Sequence, residues 1–147
     1  MYKTFAIFRF QILYKGYDKG MILIFGGAYQ GKYDYLLDNF ELFAEDIYVF
    51  SVDDTNYIND KKAIYGLQDL IRYYIECGQY DEHKFKNEID EYWKDKIIVC
   101  DDISSGIVPI DYYDREWRES VGRIMSFISE RSGEVHRLFC GIGTRIK

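Results

Sequence analysis

Residues 21–32 read Met-Ile-Leu-Ile-Phe-Gly-Gly-Ala-Tyr-Gln-Gly-Lys, and this stretch decides the fold. Its apolar first half predicts a buried strand over Ile22 to Phe25, and the glycines after it predict a tight turn. Its second half, from Gly26 to Lys32, matches the pattern G-x-x-x-x-G-K between a strand and a helix. In that pattern the glycine backbone turns N–H groups inward around phosphates, the helix N-terminus adds partial positive charge, and the lysine reaches the terminal phosphates. A plain glycine turn without a ligand is the alternative.

The expected nucleotide-binding site is this loop together with the next residue. Its members are Gly26, Gly27, Ala28, Tyr29, Gln30, Gly31, Lys32 and Tyr33. Tyr33 departs from the pattern, which has Ser or Thr at this position to bind Mg²⁺ through the hydroxyl group. A phenol hydroxyl at the far end of a rigid ring cannot take that ligand position. This residue therefore leaves metal binding and catalysis open.

Apolar runs and helical periodicities alternate along the rest of the chain. Strands are expected over Ile47 to Val52, Lys96 to Cys100 and Val135 to Cys140, and a short helix over Tyr33 to Asn39. Three further helices are predicted from apolar residues at helical spacing: Ile64, Leu67, Leu70, Ile71, Tyr74 and Ile75; Phe85, Ile89, Tyr92 and Trp93; Trp117, Val121, Ile124, Met125 and Ile128. Continuous apolar strands that alternate with helices predict an α/β fold with a mostly parallel sheet and helices on both faces.

Two pairs of aspartates follow predicted strands. Asp101 and Asp102 come directly after the strand that ends at Cys100, and Asp53 and Asp54 follow the second strand in the same way. Open α/β sheets bind ligands at the carboxyl ends of their strands, and carboxylates are suitable ligands for Mg²⁺. We therefore expect Asp101 and Asp102 to hold Mg²⁺, directly or through water. The alternative is that they cap a helix or a turn.

The composition and net charge limit which classes of partner and which cellular compartment are expected. The chain has 147 residues, enough for one domain with its own core, and it carries a net charge of −6 with a pI near 4.9. Nucleic acid or an anionic membrane surface as main partner requires a basic face, so neither is expected. The scattered Cys77, Cys100 and Cys140 are expected to be small buried hydrophobic residues in a reducing compartment rather than a metal site. Because no apolar run approaches the roughly 20 residues that span a bilayer, we expect a cytoplasmic protein.

Residues 1–20 fit poorly with the rest of the chain. A short apolar run near the start is interrupted by Arg9 and lacks a cleavage site of small residues, so it makes a poor signal peptide. We expect Met21 to be the natural start, with residues 1–20 an upstream extension and residues 21–147 the nucleotide-binding domain. An extra edge strand over residues 5–14 is the alternative. The intact mass of the protein from its native cell distinguishes the two.

Two segments resemble one enzyme family. The family's N-terminal motif, Gly-Gly-Ala-Arg-Ser-Gly-Lys-Ser, is matched at Gly26, Gly27, Ala28, Gly31 and Lys32. Its C-terminal pattern has an acidic residue, Gly-Ile/Val-Val-Pro, and Arg-x-x-Arg-Asp/Glu-x-x-Gly-Arg. The matching residues are Asp102, where the family has Glu, and Gly106, Val108, Pro109, Arg115, Arg118, Glu119, Gly122 and Arg123. Together the segments resemble the adenosylcobinamide kinase/adenosylcobinamide-phosphate guanylyltransferase family of cobalamin biosynthesis.

The resemblance implies an ATP- or GTP-dependent kinase with a RecA-like P-loop fold, often a homotrimer, with Lys32 and Asp102 as catalytic residues. The family phosphorylates a side-chain hydroxyl of a corrinoid and then transfers GMP to that phosphate. Its full-length members carry a GMP-accepting histidine in an Arg/His-rich helix after the second strand. His83 and His136 lie in other contexts, so we expect both to be structural or surface residues and expect no guanylyltransferase activity.

Three functions are compatible with these residues. A nucleotide-binding kinase-like protein of corrinoid metabolism is favoured by Lys32 and the paired aspartates. A catalytically impaired regulatory protein that binds a nucleotide or a corrinoid is favoured by Tyr33. A phosphate loop kept only as a fold element is the third. The role of Arg115, Arg118 and Arg123 is equally open, since solvated charges on a helix surface explain them as well as phosphate clamping does.

Overall fold

The computed structural model describes residues 20–52 and 58–147, which form six strands and four α-helices. In chain order these elements are β1 (Ile22–Gly26), α1 (Lys32–Asn39), β2 (Ile47–Val49), β3 (Ala63–Tyr65), α2 (Leu67–Glu76), α3 (Glu82–Tyr92), β4 (Ile97–Asp101), α4 (Tyr112–Arg131), β5 (Glu134–Phe139) and β6 (Ile142–Arg145). Single 3₁₀ turns precede β2 and β3, at Ala44–Asp46 and Ile58–Asp60. The predicted α/β fold is confirmed.

The six strands form one sheet in the order β2-β3-β4-β1-β5-β6. The central strand β1 runs parallel to β4 and β5, and places Gly26 opposite Asp101 on one side and Leu138 on the other. β2, β3 and β4 are also parallel, whereas β6 pairs with β5 in the antiparallel sense. This mostly parallel sheet was predicted, and it is compatible with a Rossmann- or RecA-like fold. The carboxyl ends of β1, β3, β4 and β5 all lie at one edge, which we call the C-terminal edge.

Helices cover both faces of the sheet because its central strands are apolar on both sides. On one face Leu23 of β1 and Ile98 of β4 pack with α2, α3 and α4. On the other face Ile24 and Val99 pack with Leu36 of α1. All five side chains are at most 1 % exposed, and burial of this kind is the main stabilising contribution to a fold of this size.

The helix α4 buries the apolar stripe that the sequence predicted. Val121, Ile124 and Ile128 are at most 1 % exposed, and Trp117 and Met125 are partly buried against the same core. The stripe faces α2 and the sheet, so the predicted amphipathic helix is confirmed.

Two side-chain caps define where helices on this face begin. The Asp81 carboxylate accepts the Lys84 N–H at 3.0 Å at the start of α3. The Asp111 carboxylate accepts the N–H groups of Tyr113 and Asp114 at 2.9 and 3.2 Å at the start of α4. Such caps satisfy N–H groups that have no partner within the helix. The cap at Asp111 therefore fixes the length of the loop between β4 and α4.

Three local expectations about the strands were wrong. Ile64 belongs to β3 rather than to a helix, β2 ends at Val49 rather than at Val52, and β6 follows the strand that was expected to be the last. Strands of three residues are too short to show a period of their own. The sequence of β6, Ile-Gly-Thr-Arg, lacks an apolar run because β6 is an exposed edge strand.

Some expectations fall on residues that the structure does not describe. Asp53 and Asp54 lie outside the described ranges, as do residues 1–19, so the expectations about them stay predictions. Across residues 20–52 and 58–147, no helix has the length and apolar character that a bilayer span requires.

Candidate functional site

The glycine loop connects β1 to α1 at the C-terminal edge, and two of its glycines are required by the backbone. A Cβ atom at Gly26 would lie 2.5 Å from the Leu138 carbonyl oxygen of β5, so no larger residue fits without displacing a strand. Gly31 has φ of 81°, in the left-handed region that glycine adopts at little cost. Its carbonyl accepts the Tyr35 N–H at 3.0 Å and so starts α1.

The turn between β5 and β6 holds the loop from outside. The Gly141 N–H donates to the Gln30 carbonyl oxygen at 3.0 Å, and the Cys140 N–H donates to the Gln30 side-chain oxygen. The neighbouring Tyr29 has φ of 57° and is fully exposed. The β5–β6 turn thus holds Gln30 of the glycine loop through both its backbone carbonyl group and its side chain. This contact was not predicted because the β5–β6 hairpin was not predicted.

Lys32 is buried at the base of the loop. Its side chain is 2 % exposed, and its Nζ donates to the Gly27 carbonyl oxygen at 2.6 Å and forms an ion pair with Asp101 Oδ1 at 2.6 Å. A buried ammonium group needs both a counter-charge and hydrogen-bond acceptors, and these two contacts supply them. The Asp101 side chain is 24 % exposed, so solvent and ligands reach this ion pair. The structure therefore brings together two of the residues that the sequence singled out.

Asp102 makes different contacts from its neighbour. Its N–H donates to the Gly26 carbonyl oxygen at 2.8 Å, and its Oδ1 accepts the Ser104 N–H at 3.0 Å as well as the Ser104 hydroxyl. This is the arrangement of a side chain that caps a turn, the alternative to Mg²⁺ binding for this residue. A role of Asp102 in metal binding or catalysis stays a prediction.

Asp101 and Asp102 are residues at this edge that could hold a cation. Among the described residues, no group of three or more His, Cys, Asp or Glu side chains is arranged to hold a metal ion. Mg²⁺ commonly takes only one or two carboxylates when phosphates and waters complete its coordination, and Asp101 and Asp102 can provide these. The half-buried Tyr33 packs its ring edge-on against Tyr65, with centroids 5.5 Å apart. Tyr33 therefore does not provide the aliphatic hydroxyl group that Ser or Thr would offer to Mg²⁺ at this position.

Two residues of α2 join this site, and the sequence did not indicate them. The buried Gln68 accepts the Asp101 N–H at 2.9 Å through Oε1 and donates to Asp69 Oδ2 at 3.0 Å through Nε2. Although Asp69 reaches solvent, partial desolvation raises the pKa of its carboxyl group, and the charge of Asp101 raises it further. Burial likewise raises the pKa of Tyr65, with the charges of Asp101, Asp34 and Asp69 adding to the effect.

The family-like arginines of α4, Arg115, Arg118 and Arg123, bind protein groups. Arg115 donates to the Ile110 carbonyl oxygen at 2.7 Å and to that of Pro109 at 3.3 Å. Arg118 donates to the carbonyl oxygens of three residues in the same loop: Ser104, Gly106 and Ile107. Arg123 forms an ion pair with Glu82 of α3 at 2.6 Å. Arg115 and Arg118 therefore fix the loop between β4 and α4, a role that the spacing on a helix did not indicate.

The loop that these arginines fix exposes large apolar side chains. Ile107 is 95 % exposed, Ile110 is 94 % exposed and Val108 is 67 % exposed. Because the loop follows β4 and precedes α4, it lies at the C-terminal edge together with Lys32 and Asp101. An ordered, exposed apolar loop beside a charged site is a feature of binding surfaces.

Both histidines lie where the sequence predicted, one on the surface and one in a structural setting. His83 is exposed on α3. His136 is 2 % exposed on β5, where its Nδ1 lies 2.9 Å from Tyr35 Oη and its Nε2 lies 3.1 Å from Glu134 Oε2. Glu134 also pairs with Arg145 at 3.3 Å. These contacts join α1, β5 and β6 in a buried polar network.

Comparisons with known proteins add no family to this description. No family model matches the chain, and no curated protein matches it.

Proposed function

We propose that this protein is a nucleotide-binding, kinase-like protein of corrinoid metabolism that resembles adenosylcobinamide kinase. The observation that carries the proposal is the Lys32–Asp101 ion pair at 2.6 Å, beneath a glycine loop that leads into a helix. Open α/β sheets bind ligands at this edge, and a helix N-terminus after a glycine loop favours phosphate. The corrinoid acceptor rests on the resemblance of the loop and of the segment from Asp101 to Lys147.

The site would act by positioning and by neutralising charge, as phosphoryl transfer requires. Backbone N–H groups of residues 26–31 would hold the phosphates of ATP or GTP. The Lys32 ammonium group would exchange the Gly27 carbonyl oxygen or the Asp101 carboxylate for a phosphate oxygen. Asp101 and Asp102 would hold Mg²⁺, which supplies further neutralisation of phosphate charge when it is bound.

The exposed loop between β4 and α4 supports a large, partly apolar acceptor. Ile107, Val108 and Ile110 present aliphatic side chains at the edge where the phosphates would lie. Arg115 and Arg118 hold the carbonyl groups of this loop. A preorganised loop loses little conformational entropy when a ligand binds. A corrinoid has the extended apolar surface that such a loop would contact.

A catalytically impaired regulatory protein that binds a nucleotide or a corrinoid is the second candidate, and one contact favours it. The ring of Tyr33 packs against Tyr65, at the position where the sequence pattern of active phosphate loops has a hydroxyl ligand for Mg²⁺. Nucleotide binding without turnover is the expected behaviour of such a site.

Mass analysis of the acceptor separates the two candidates. The purified protein is incubated with Mg²⁺, cobinamide and either ATP or GTP, and nucleotide binding is measured in parallel by calorimetry. A cobinamide that gains one phosphoryl group supports the kinase. Nucleotide binding without a product supports the regulatory protein. The absence of any nucleotide binding contradicts the kinase and leaves only a regulatory protein that binds a corrinoid.

Substitution of Lys32 tests the loop as the nucleotide-binding site. Lys32→Ala removes a charge-assisted contact worth about 1.5–3 kcal/mol, so affinity for ATP should fall roughly ten- to a hundred-fold. The matched control is Lys84→Ala, which removes an ammonium group that is 85 % exposed on α3. Calorimetry should find the control unchanged. Equal affinity of Lys32→Ala and the parent protein would exclude the loop.

A further inference from the structure

We propose that Asp69 is a catalytic base that takes the proton from the acceptor hydroxyl during phosphoryl transfer, an inference that rests on the proposed kinase-like function. Asp69 lies in the first turn of α2, which starts directly after β3 at the C-terminal edge. The Gly66 N–H, at the start of this helix, donates to the Val99 carbonyl oxygen of β4 at 3.1 Å. The first turn of α2 is therefore fixed against the strand that carries Asp101.

Gln68 links this carboxylate to the rest of the site. Its side-chain amide accepts the Asp101 N–H at 2.9 Å and donates to Asp69 Oδ2 at 3.0 Å. Its backbone carbonyl accepts the Trp117 Nε1–H at 2.7 Å, and its side chain is buried. A single buried amide thus separates Asp69 from Asp101, which is ion-paired with Lys32 at 2.6 Å. Asp69 is held beside the residues proposed to bind the phosphates.

The Asp69 carboxylate is also exposed and therefore available to a substrate. Asp101 is engaged by Lys32, and Asp102 Oδ1 is engaged by Ser104. The exposed Asp69 carboxylate accepts the Gln68 amide, and no other hydrogen bond or ion pair engages this carboxylate within the described part of the chain. Partial desolvation and the charge of Asp101 raise the pKa of the carboxyl group, which favours a base that must accept a proton.

The reaction step is balanced with a nucleoside triphosphate and an alcohol as reactants. The acceptor oxygen attacks the γ-phosphorus and forms a new P–O bond, while the bond between that phosphorus and the β–γ bridging oxygen breaks. The electron pair of the broken bond stays on the nucleoside diphosphate. The proton of the acceptor hydroxyl passes to the Asp69 carboxylate and leaves to solvent after the product departs.

Asp69→Asn tests this role with little change in shape, because the asparagine carbonyl still accepts the Gln68 amide. Turnover of ATP and cobinamide should fall about 100-fold or more, since a positioned base contributes roughly 10²–10⁴-fold. The dissociation constant for ATP, measured by calorimetry, and the thermal midpoint should match those of the parent. Asp38→Asn, the same substitution at an exposed site at the end of α1, should retain full turnover. Asp69→Glu, which keeps a carboxylate, should recover part of the rate.

The possible results distinguish a failure of the proposed Asp69 base from a failure of the proposed kinase-like function. A parent protein that binds ATP and phosphorylates cobinamide, with Asp69→Asn equally active, would overturn the base and leave the kinase intact. A parent that binds ATP but forms no product would also overturn the base, and would leave the regulatory protein as the function. A parent that binds no nucleotide would overturn both proposals.

Discussion

Lys32 and Tyr33 are neighbours in the sequence, yet they suggest different functions. Lys32 reaches back under the glycine loop to Gly27 and Asp101, where phosphate binding would use its charge. Tyr33 points its ring to Tyr65 of β3 instead. The first residue argues for a nucleotide site and the second for slow or absent phosphoryl transfer. Substitution of Tyr33 therefore tests whether this residue limits phosphoryl transfer in the proposed site.

Tyr33→Ser should raise the rate of phosphoryl transfer, or create one, because serine places a hydroxyl where Mg²⁺ is bound in active phosphate loops. Loss of the Tyr33–Tyr65 ring contact should destabilise the protein by about 0.5–1.5 kcal/mol. Tyr33→Phe is the control, since it keeps the ring and should leave the rate unchanged. Rates are measured as phosphorylated cobinamide formed from ATP. If the parent works at ordinary enzyme rates and Tyr33→Ser gains nothing, the tyrosine is no handicap.

The two histidines should not form a covalent adduct with GMP. A phosphoramidate needs a histidine nucleophile beside the nucleotide, whereas His83 is exposed on α3 and His136 is enclosed between Tyr35 and Glu134. Protein incubated with labelled GTP and then denatured should carry no label. An acid-labile label on His83 would show that the guanylyltransferase activity has been kept.

At the scale of elements, the glycine loop depends on β5 and on the hairpin that it forms with β6. Leu138 of β5 approaches Gly26 so closely that no Cβ fits between them. The turn between β5 and β6 then holds Gln30 by two hydrogen bonds. The loop keeps its shape through elements that lie more than 100 residues later in the chain, in addition to its own glycines.

Gly26→Ala should therefore destabilise the protein strongly. The added methyl group would lie 2.5 Å from the Leu138 carbonyl oxygen, and overpacking of this kind costs about 1–3 kcal/mol or more. Gly122→Ala in α4 is the control, because its Cβ would meet no atom within 4 Å. Alanine is the better helix former by about 1 kcal/mol, so this variant should be neutral or more stable. Urea unfolding of both variants gives the comparison, and equal midpoints would contradict it.

At the scale of the whole molecule, a sheet covered on both faces protects its central strands from solvent reagents. Cys100 on β4 is completely buried, and burial raises the pKa of its thiol far above the usual range. The expected burial of all three cysteines is wrong for Cys77 and Cys140, which are exposed because they lie at the end of α2 and in the β5–β6 turn. Because the thiolate is the reactive form, the three cysteines should differ sharply in reactivity.

Two thiols per chain should therefore react with Ellman's reagent in the folded protein, and the third only after unfolding in denaturant. Cys100→Ser should give two reactive thiols under both conditions. Rapid reaction of three thiols in the native parent protein would mean that β4 is not protected as the fold requires.

The sequence by itself determined the elements that rest on local pattern. The apolar run before Gly26 and the glycine motif predicted β1, the turn and α1, because both patterns lie within a few residues along the chain. The apolar stripe from Trp117 to Ile128 predicted α4 for the same reason. The continuous apolar strands predicted a mostly parallel sheet with both faces covered, and the strand pairing and the two core clusters bear this out.

Only the tertiary structure showed which polar groups form hydrogen bonds with each other across the sequence. Gln68 reaches the Asp101 N–H across 33 positions of sequence separation, and Arg118 reaches the Ser104 carbonyl oxygen across 14. The periodicity of the sequence does not indicate such pairs. They depend on how the connections between parallel strands bring distant segments together at the C-terminal edge. The exposed strand β6 was also not predicted. As an edge strand that buries few side chains, it lacks the apolar run by which a core strand is recognised. Local pattern thus specified the scaffold, whereas contacts between distant segments specified the site.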